Sequence, residues 1–377
     1  MDHILALCQI FTNNGHQCFM VGGAVRDQIL RKKVFDYDFA VSASVEEMMS
    51  LLSSHNYKVI PTGIKHGTVT LLMGGSHFEL TTFRGKNLEE DSSKRDFTVN
   101  AIYYDPLTNK YFDPQKGKDD LEQKILRFVG KPRDRLEEDG LRTLRLFRFI
   151  STLDFEVEKN SLKEAKAKIC DSLDAVSVER LHDELIKLLE GKAFYKIVIS
   201  YPEVLTCLLP HLEIANDLIN LPENRPLLRL ASFYHSFQDS DFLRLKFSLK
   251  DMKYVSFIVN EQNNLSRTLN RKEVRRLLIR AQEAFSHEAR LVLEDLLLLS
   301  LRRGYQCDEL AEELQKEAWD YKSPLDGGEL QKLLGLNQGK MIGILKDFLL
   351  DQVLEGKLAS RDKEEARKII MDYLKKS

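Results

Sequence analysis

Val21 to Ala40 read VGGAVRDQILRKKVFDYDFA, and how this stretch is parsed decides the fold. Gly22 and Gly23 let the backbone approach phosphate oxygens, and the helix that opens near Ala24 points unpaired N–H groups and its positive dipole end at them. After a basic turn, Arg31-Lys32-Lys33, the run Val34 to Ala40 alternates as a strand. Asp36 and Asp38 then share one face, with Tyr37 on the other. Two carboxylates side by side are costly unless they share a cation, and a hard, oxygen-seeking Mg2+ held jointly with substrate phosphates suits them.

Each half has a bland counterpart. A Gly-Gly before a helix is often a turn device, and a D-x-D is often a solvated strand edge. At this spacing the two together argue for nucleotidyl transfer with two metals. The string GGAVRD…DYDFA resembles the signature of the polymerase-beta-like nucleotidyltransferase superfamily, specifically the class II (bacterial-type) tRNA nucleotidyltransferases and their poly(A) polymerase relatives. The resemblance implies an α+β chain, with an N-terminal head of mixed sheet and helices followed by an elongated, all-α neck, body and tail.

Composition fits that outline. A chain of 377 residues has room for two or three domains, and its 43% hydrophobic and 30% charged residues are those of an ordinary globular protein. No apolar run approaches membrane-spanning length, and MDHILALCQIF lacks the charged start and cleavage site of a secretion signal, so the expected compartment is the cytoplasm. Cys8, Cys18, Cys170, Cys207 and Cys307 are scattered, and neither a metal spacing nor a disulfide set is expected of them. A formal net charge of −2 argues against indiscriminate nucleic-acid binding and leaves local patches open.

Around the deciding stretch the chain alternates. A helix is expected over the first fourteen residues, a strand at Cys18 to Val21, a serine-capped helix at Val45 to Ser53 and a strand at Tyr57 to Pro61. Val69–Met73 and His77–Phe83 read as a hairpin turned at Gly74-Gly75. His66, between turn residues, reads as a structural loop histidine rather than a general base. Glu79 is either an exposed strand glutamate or a third carboxylate beside the DYD strand; the family resemblance favours the third carboxylate, because relatives place an acid at this ELTTFR position.

The run Lys94 to Asp105, KRDFTVNAIYYD, resembles the family's RRDFTxNA motif with lysine in place of its first arginine. By that likeness Arg95 holds phosphate while Asp96 and Asn100 read ribose hydroxyls, and Gly22, Gly23 and Arg26 place the triphosphate. Between Arg84 and Arg95 stand only ten residues, Gly85 to Lys94. Full CCA-adding members carry a longer flexible loop here, about two dozen residues. The short connection resembles the CC-adding subgroup, which stops before the terminal adenosine.

In Lys131 to Phe149, KPRDRLEEDGLRTLRLFRF, the apolar positions follow one continuous helical stripe and Arg135, Asp139, Arg142, Arg145 and Arg148 the neighbouring one. Read alone this is a solvated face with salt bridges. Beside a nucleotide site it has another use. An arginine fork can donate to O2 and N3 of cytosine while an aspartate accepts from its N4 amino group, which copies a pairing base with protein groups. EDGLR resembles the family's EDxxR motif, which implies that Asp139 and Arg142 read the nucleobase, joined by Arg145, with Glu138 orienting Arg142.

The helix SVERLHDEL, Ser177 to Leu185, resembles a family helix and reads as packing. In Leu227–Phe237 some relatives carry a His-Asp phosphohydrolase motif, but here His235 precedes Ser236, so no hydrolase is expected. Arg244–Ser248 and the run Arg271–Arg276, RKEVRR, form a candidate RNA-backbone track. Expected boundaries are 1–132 for the head, 133–195 for the neck, 196–285 for the body and 286–377 for the tail. The expected activity is addition of two cytidines from CTP to the tRNA acceptor end, with catalysis by Asp36, Asp38 and Glu79 and with Mg2+ on Asp36 and Asp38. A separate A-adding enzyme would finish such a product. The alternatives are complete CCA addition with CTP and ATP, an A-adding or poly(A) polymerase-like enzyme, and a silent RNA-binding protein.

Overall fold

The computed structural model describes residues 2–34, 36–63, 67–73, 76–214, 221–335 and 339–376. It divides into two compact units, Met1–Pro210 with Arg244–Lys246, and His211–Leu243 with Phe247–Ser377.

The first unit opens with α1 (Asp2–Asn13), β1 (Cys18–Val21), α2 (Gly23–Ile29) and β2 (Asp36–Val41), followed by α3 (Val45–Ser54), β3 (Val59–Gly63), β4 (Thr68–Met73) and β5 (Ser76–Thr82). Then come α4 (Leu88–Ser93), β6 (Tyr103–Asp105), β7 (Lys110–Phe112) and α5 (Gly117–Gln123). The strands form one sheet in the order β3-β4-β5-β2-β1-β6-β7. Only β2 and β5 run parallel within it, which brings Asp38 beside Glu79 and Asp36 beside His77. The mixed sheet expected of the head is therefore present, with the DYD strand near its centre. Phe39, Ala40 and Val41 at the end of β2 are buried and anchor it, while Asp36 at its start is exposed. Ser44 caps α3 in a reciprocal box with Glu47. His66 and the Gly74-Gly75 turn lie outside the described residues.

Beyond the head come a short strand pair, β8 (Ile125–Leu126) with β9 (Glu156–Val157), and the helices α6 (Pro132–Glu138), α7 (Leu141–Leu153), α8 (Lys159–Ala167), α9 (Val178–Leu189), α10 (Phe194–Ser200) and α11 (Glu203–Leu208). The single helix expected through EDGLR is two helices. Asp139 is extended, with φ −153° and ψ 105°, and breaks the run between α6 and α7. At Gly140 a Cβ would overlap the carbonyl oxygen of Ser172, so only glycine lets the segment after α8 close over this break. Contrary to expectation, Cys170 in that segment and Cys207 in α11 form a disulfide, with Cα atoms 5.4 Å apart. A separation of 37 residues gave no spacing signal for it.

The second unit is helical: α12 (Pro226–Ala231), α13 (Asp239–Arg244, of which Arg244 is counted in the first unit), α14 (Leu249–Asn264), α15 (Arg271–Phe285), α16 (Ala289–Arg302), α17 (Asp308–Leu314), α18 (Gly327–Leu334), α19 (Lys340–Leu354) and α20 (Lys363–Lys376). Leu330, Leu345, Leu349, Ala366 and Ile370 form a core among its last three helices. The cations of the basic run of α15 each face a carboxylate. Arg271 faces Glu309 at 3.0 Å, Lys272 faces Asp351 and Glu355 at 2.9 Å each, Arg275 faces buried Glu313 at 3.0 Å, and Arg276 faces Asp351 at 2.5 Å. Arg244 and Lys246, which belong to the first unit, have partners there, Lys246 with Glu179 at 2.5 Å and Arg244 with the Cys207 carbonyl at 2.9 Å. A linear run of cations does not reveal the carboxylates that folding sets opposite it. Among the described residues no helix is long and apolar enough to cross a membrane.

Candidate active site

A cleft of about 460 Å³ opens in the first unit between the sheet and the helices that follow it. Its walls bring together Gly22, Gly23, Arg26, Asp38, Glu79, Arg95, Asp96, Asn100, Asp139, Arg142 and Arg145. Of the residues expected from sequence, Asp36 and Glu138 stand outside this lining. Arg84, Arg148, Phe149 and Arg180 are in it although the sequence reading did not place them there. Arg148 could have been found, since it continues the arginine stripe of α7. Arg84 ends the ELTTFR string and Arg180 stands in the SVERLHDEL helix, two stretches that resemble the family, but neither arginine was given a role there.

At one end Gly22 adopts φ +74° and ψ −142°, a backbone region open in practice only to glycine. A Cβ there would also come within 2.9 Å of Asp38 Oδ2. The glycine turn and the carboxylate strand are thus fitted to one another, across the register that pairs Val21 with Asp38. The Asp38 carboxyl is pushed up to about 6 by burial and next by the negative charge of Glu79, with Asp36 adding to it and Arg95 and Arg26 opposing. Such a group gains from a cation. The donors are carboxylate oxygens, which suit a hard divalent ion. Among the described residues no three His, Cys, Asp or Glu side chains make a complete cage.

The cleft wall is cationic and braced. Desolvation alone would raise the carboxyl of Asp96, whose side chain is 11% exposed; the Arg145 charge and hydrogen bonds, the Phe97 N–H and the Asn100 amide outweigh this and hold it well below the usual range. Its Oδ2 accepts from Arg145 Nε at 2.9 Å and Nη2 at 2.6 Å, and its Oδ1 from Phe97 N at 2.8 Å and Asn100 Nδ2 at 3.2 Å. Those four donors fill the acceptor capacity of a carboxylate. In this arrangement Asp96 anchors Arg145. Asn100 accepts from Arg26 Nη1 at 2.8 Å and keeps one N–H and one lone pair for a ligand. Arg26 is further held by both Asp27 oxygens at 2.9 Å, so it braces the wall more than it reaches outward. Arg26, Arg145 and Arg148 lie 5.2, 5.6 and 3.7 Å from the centroid of the Phe149 ring, which keeps three like charges around one apolar pivot.

Arg95 donates to Asp91 Oδ2 and to the Tyr103 hydroxyl, and Tyr103 donates in turn to the same oxygen. Asp91 belongs to α4, in the short connection after Arg84, and also accepts from Arg84 N at 2.8 Å. The connection is therefore fastened to the rim of the cleft. Its last residues are gripped from the other side, Ser93 O by Arg135 Nη1 at 2.9 Å and Lys94 O by Arg142 Nη2 at 3.0 Å.

At the far end Arg142, buried on α7, donates from Nη1 to Glu138 Oε2 at 2.8 Å, as the sequence led one to expect. Asp139 does not pair with Arg142. Its Oδ2 accepts from Arg180 Nη2 at 2.6 Å and its Oδ1 from Leu141 N at 3.1 Å. The helix break permits this, since an extended Asp139 is released from helical spacing and its carboxylate can reach Arg180 on α9. That helix also supplies Glu184, buried between Arg145 Nη1 at 3.0 Å and Arg148 Nε at 2.5 Å, the latter close but not aligned as a hydrogen bond. Packing is thus only part of what α9 contributes.

Residues 18–127 match the family described as poly A polymerase head domain, and residues 154–201 the family described as probable RNA and SrmB-binding site of polymerase A. A CCA-adding enzyme of Oceanobacillus iheyensis is 39% identical over 202 residues, covering 49% of this chain and 49% of that protein. One from Streptococcus pyogenes serotype M3 is 40% identical over 191 residues, covering 46% of each. The chain spans about half the length of the curated relatives it matches. Over the whole fold it superposes on the Bacillus stearothermophilus CCA-adding enzyme in complex with CTP, with TM-score 0.76, 24% identity and coverage of 99% and 97%. The Thermotoga maritima CCA-adding enzyme complexed with tRNA gives TM-score 0.71, 20% identity and coverage of 99% and 95%. Residues 18–127 thus match the poly A polymerase head family, about half of the chain is similar in sequence to bacterial CCA-adding enzymes, and the fold is the one those enzymes have in their solved structures.

Proposed function

We propose that this chain is a cytoplasmic tRNA nucleotidyltransferase that transfers cytidine from CTP to the tRNA 3′ end without a nucleic-acid template. The observation that carries the reading is the layout of one cleft. A carboxylate strand fitted to a glycine turn stands at one end, an aspartate and an arginine suited to a base edge stand at the other, and arginines line the wall between.

In this reading Asp36 and Asp38 hold Mg2+, with Glu79 adding negative charge beside them. The bound ions would make the tRNA 3′ hydroxyl a better nucleophile and neutralise the departing pyrophosphate. The chain's own groups position the rest. The Gly22-Gly23 backbone lies against the triphosphate, Arg84, Arg95 and Arg148 balance its charge, and Asn100 meets the ribose. Asp139 accepts from the cytosine amino group and Arg142 donates to the O2 and N3 edge, with Arg145 beside them. Uracil presents a donor where cytosine has an acceptor and an acceptor where it has a donor, so it is refused at both points.

Addition is proposed to stop after two cytidines. The support is the ten-residue connection Gly85–Lys94, folded as α4 and fastened by Asp91, Ser93 and Lys94, which leaves little slack to recast the base site for adenine. A separate A-adding enzyme would then complete the end. The relatives' name, CCA-adding enzyme, favours the second reading, in which this chain also uses ATP.

Replacing Arg142 with alanine tests the base-reading assignment. The preference for CTP over UTP in kcat/KM is expected to fall by about ten- to a hundredfold, the worth of one bidentate base contact. Unchanged selectivity would remove Arg142 from the base site.

A further inference from the structure

Asp139 and Arg142 are opposite charges three residues apart, and left to themselves they would pair with each other. A closed pair would offer a base neither an acceptor nor a donor. In the structure each is held by a different partner: Glu138 takes Arg142 at 2.8 Å, and Arg180 takes Asp139 at 2.6 Å. Leu141 N fixes the second oxygen of Asp139, so its carboxylate plane is set at two points. Glu138 was expected from its sequence spacing; Arg180 comes from α9, a separate helix some forty residues on. The Arg180 and Asp139 side chains keep 50% and 30% of their exposure. Their pairing therefore adds little to folding, and its effect falls on where the carboxylate points.

We infer that Arg180 is a positioning residue for nucleobase choice, holding the Asp139 carboxylate apart from Arg142 and open as an acceptor for the amino group of the incoming base. The inference rests on the assignment of Asp139 as a base reader. It predicts a selectivity defect without a folding defect. With Arg180 gone, Asp139 swings toward Arg142 and discrimination between amino-bearing cytosine and carbonyl-bearing uracil weakens.

The test is equilibrium binding of CTP and of UTP to the full chain in Mg2+, measured by calorimetry, which needs no transfer step. Arg180→Ala is expected to shrink the CTP-to-UTP affinity ratio about tenfold with the melting temperature unchanged. Arg180→Lys, which keeps the charge but not the planar fork, is expected to restore part of the ratio. In an Asp139→Ala background, Arg180→Ala is expected to do nothing more. A ratio that collapses in Asp139→Ala but survives in Arg180→Ala would overturn the role of Arg180 while leaving the base-reading assignment standing. Additive losses in the double variant would also overturn it, because Arg180 would then act by another route. A ratio untouched by Asp139→Ala would overturn the assignment and the inference together.

Discussion

Replacing Asp38 with asparagine is expected to abolish nucleotide transfer, lowering kcat by about a thousandfold or more, while tRNA and CTP still bind. The size follows from what is lost. Stabilisation of a phosphoryl transition state by a carboxylate-held cation is worth several kcal/mol, and each 1.36 kcal/mol is about tenfold in rate. Asp38 is the carboxylate pressed against the glycine turn, beside Glu79 in the parallel register, and so the one best placed for that cation. The same substitution should not harm the fold. Folding holds the Asp38 carboxyl up at about 6, above its ordinary value, so keeping it ionised at neutral pH costs the folded state, and asparagine removes that cost. A melting temperature at or above the parent's in the presence of a chelator, with transfer gone, is the expected pair of results. Transfer within tenfold of the parent would refute the assignment of Asp38.

Glu184→Ala is expected to do the reverse and strike stability first. Glu184 is 6% exposed and lies against Arg145 and Arg148. Arg148 is already pushed down to about 10, first by burial, with Glu184 opposing that shift and Arg145 and Arg26 adding to it. Removing the acid takes its carboxylate from Arg148, whose side chain is 14% exposed, while Arg145 keeps Asp96, a change that costs about 3 kcal/mol. In a unit of this size that lowers the melting temperature by roughly 10 °C. Thermal and urea unfolding of the variant measure the effect, and a loss under about 1 kcal/mol would show that the two arginines find other partners.

The head was legible because its signals are local. Strand alternation placed Asp36 and Asp38 on one face, the glycine pair marked a turn that only glycine can make, and the resemblance of Lys94–Asp105 located Arg95, Asp96 and Asn100. What the sequence withheld was partnership at a distance. Asp139 looked like the natural partner of Arg142 at helical spacing, and its pairing with Arg180 depends on a helix break that Gly140 permits through its approach to Ser172. Asp96 looked free to read a ribose until Arg145, Asn100 and the Phe97 N–H filled its acceptors. The basic run of α15 gave no hint that Glu309, Glu313, Asp351 and Glu355 would face it. In each case at least one of the deciding partners, Arg180, Arg145 or the carboxylates facing α15, lies far along the chain, where spacing carries no information.

The most direct test of the central claim is extension of a tRNA transcript lacking its 3′ end, read at single-nucleotide resolution in Mg2+ with CTP alone, ATP alone and both. Growth by two nucleotides with CTP, and no further growth when ATP is added, is the result expected of a cleft that reads cytosine behind a fastened short connection. Growth by three with both nucleotides would contradict the arrest at two cytidines, and no growth with CTP would contradict the proposed activity itself.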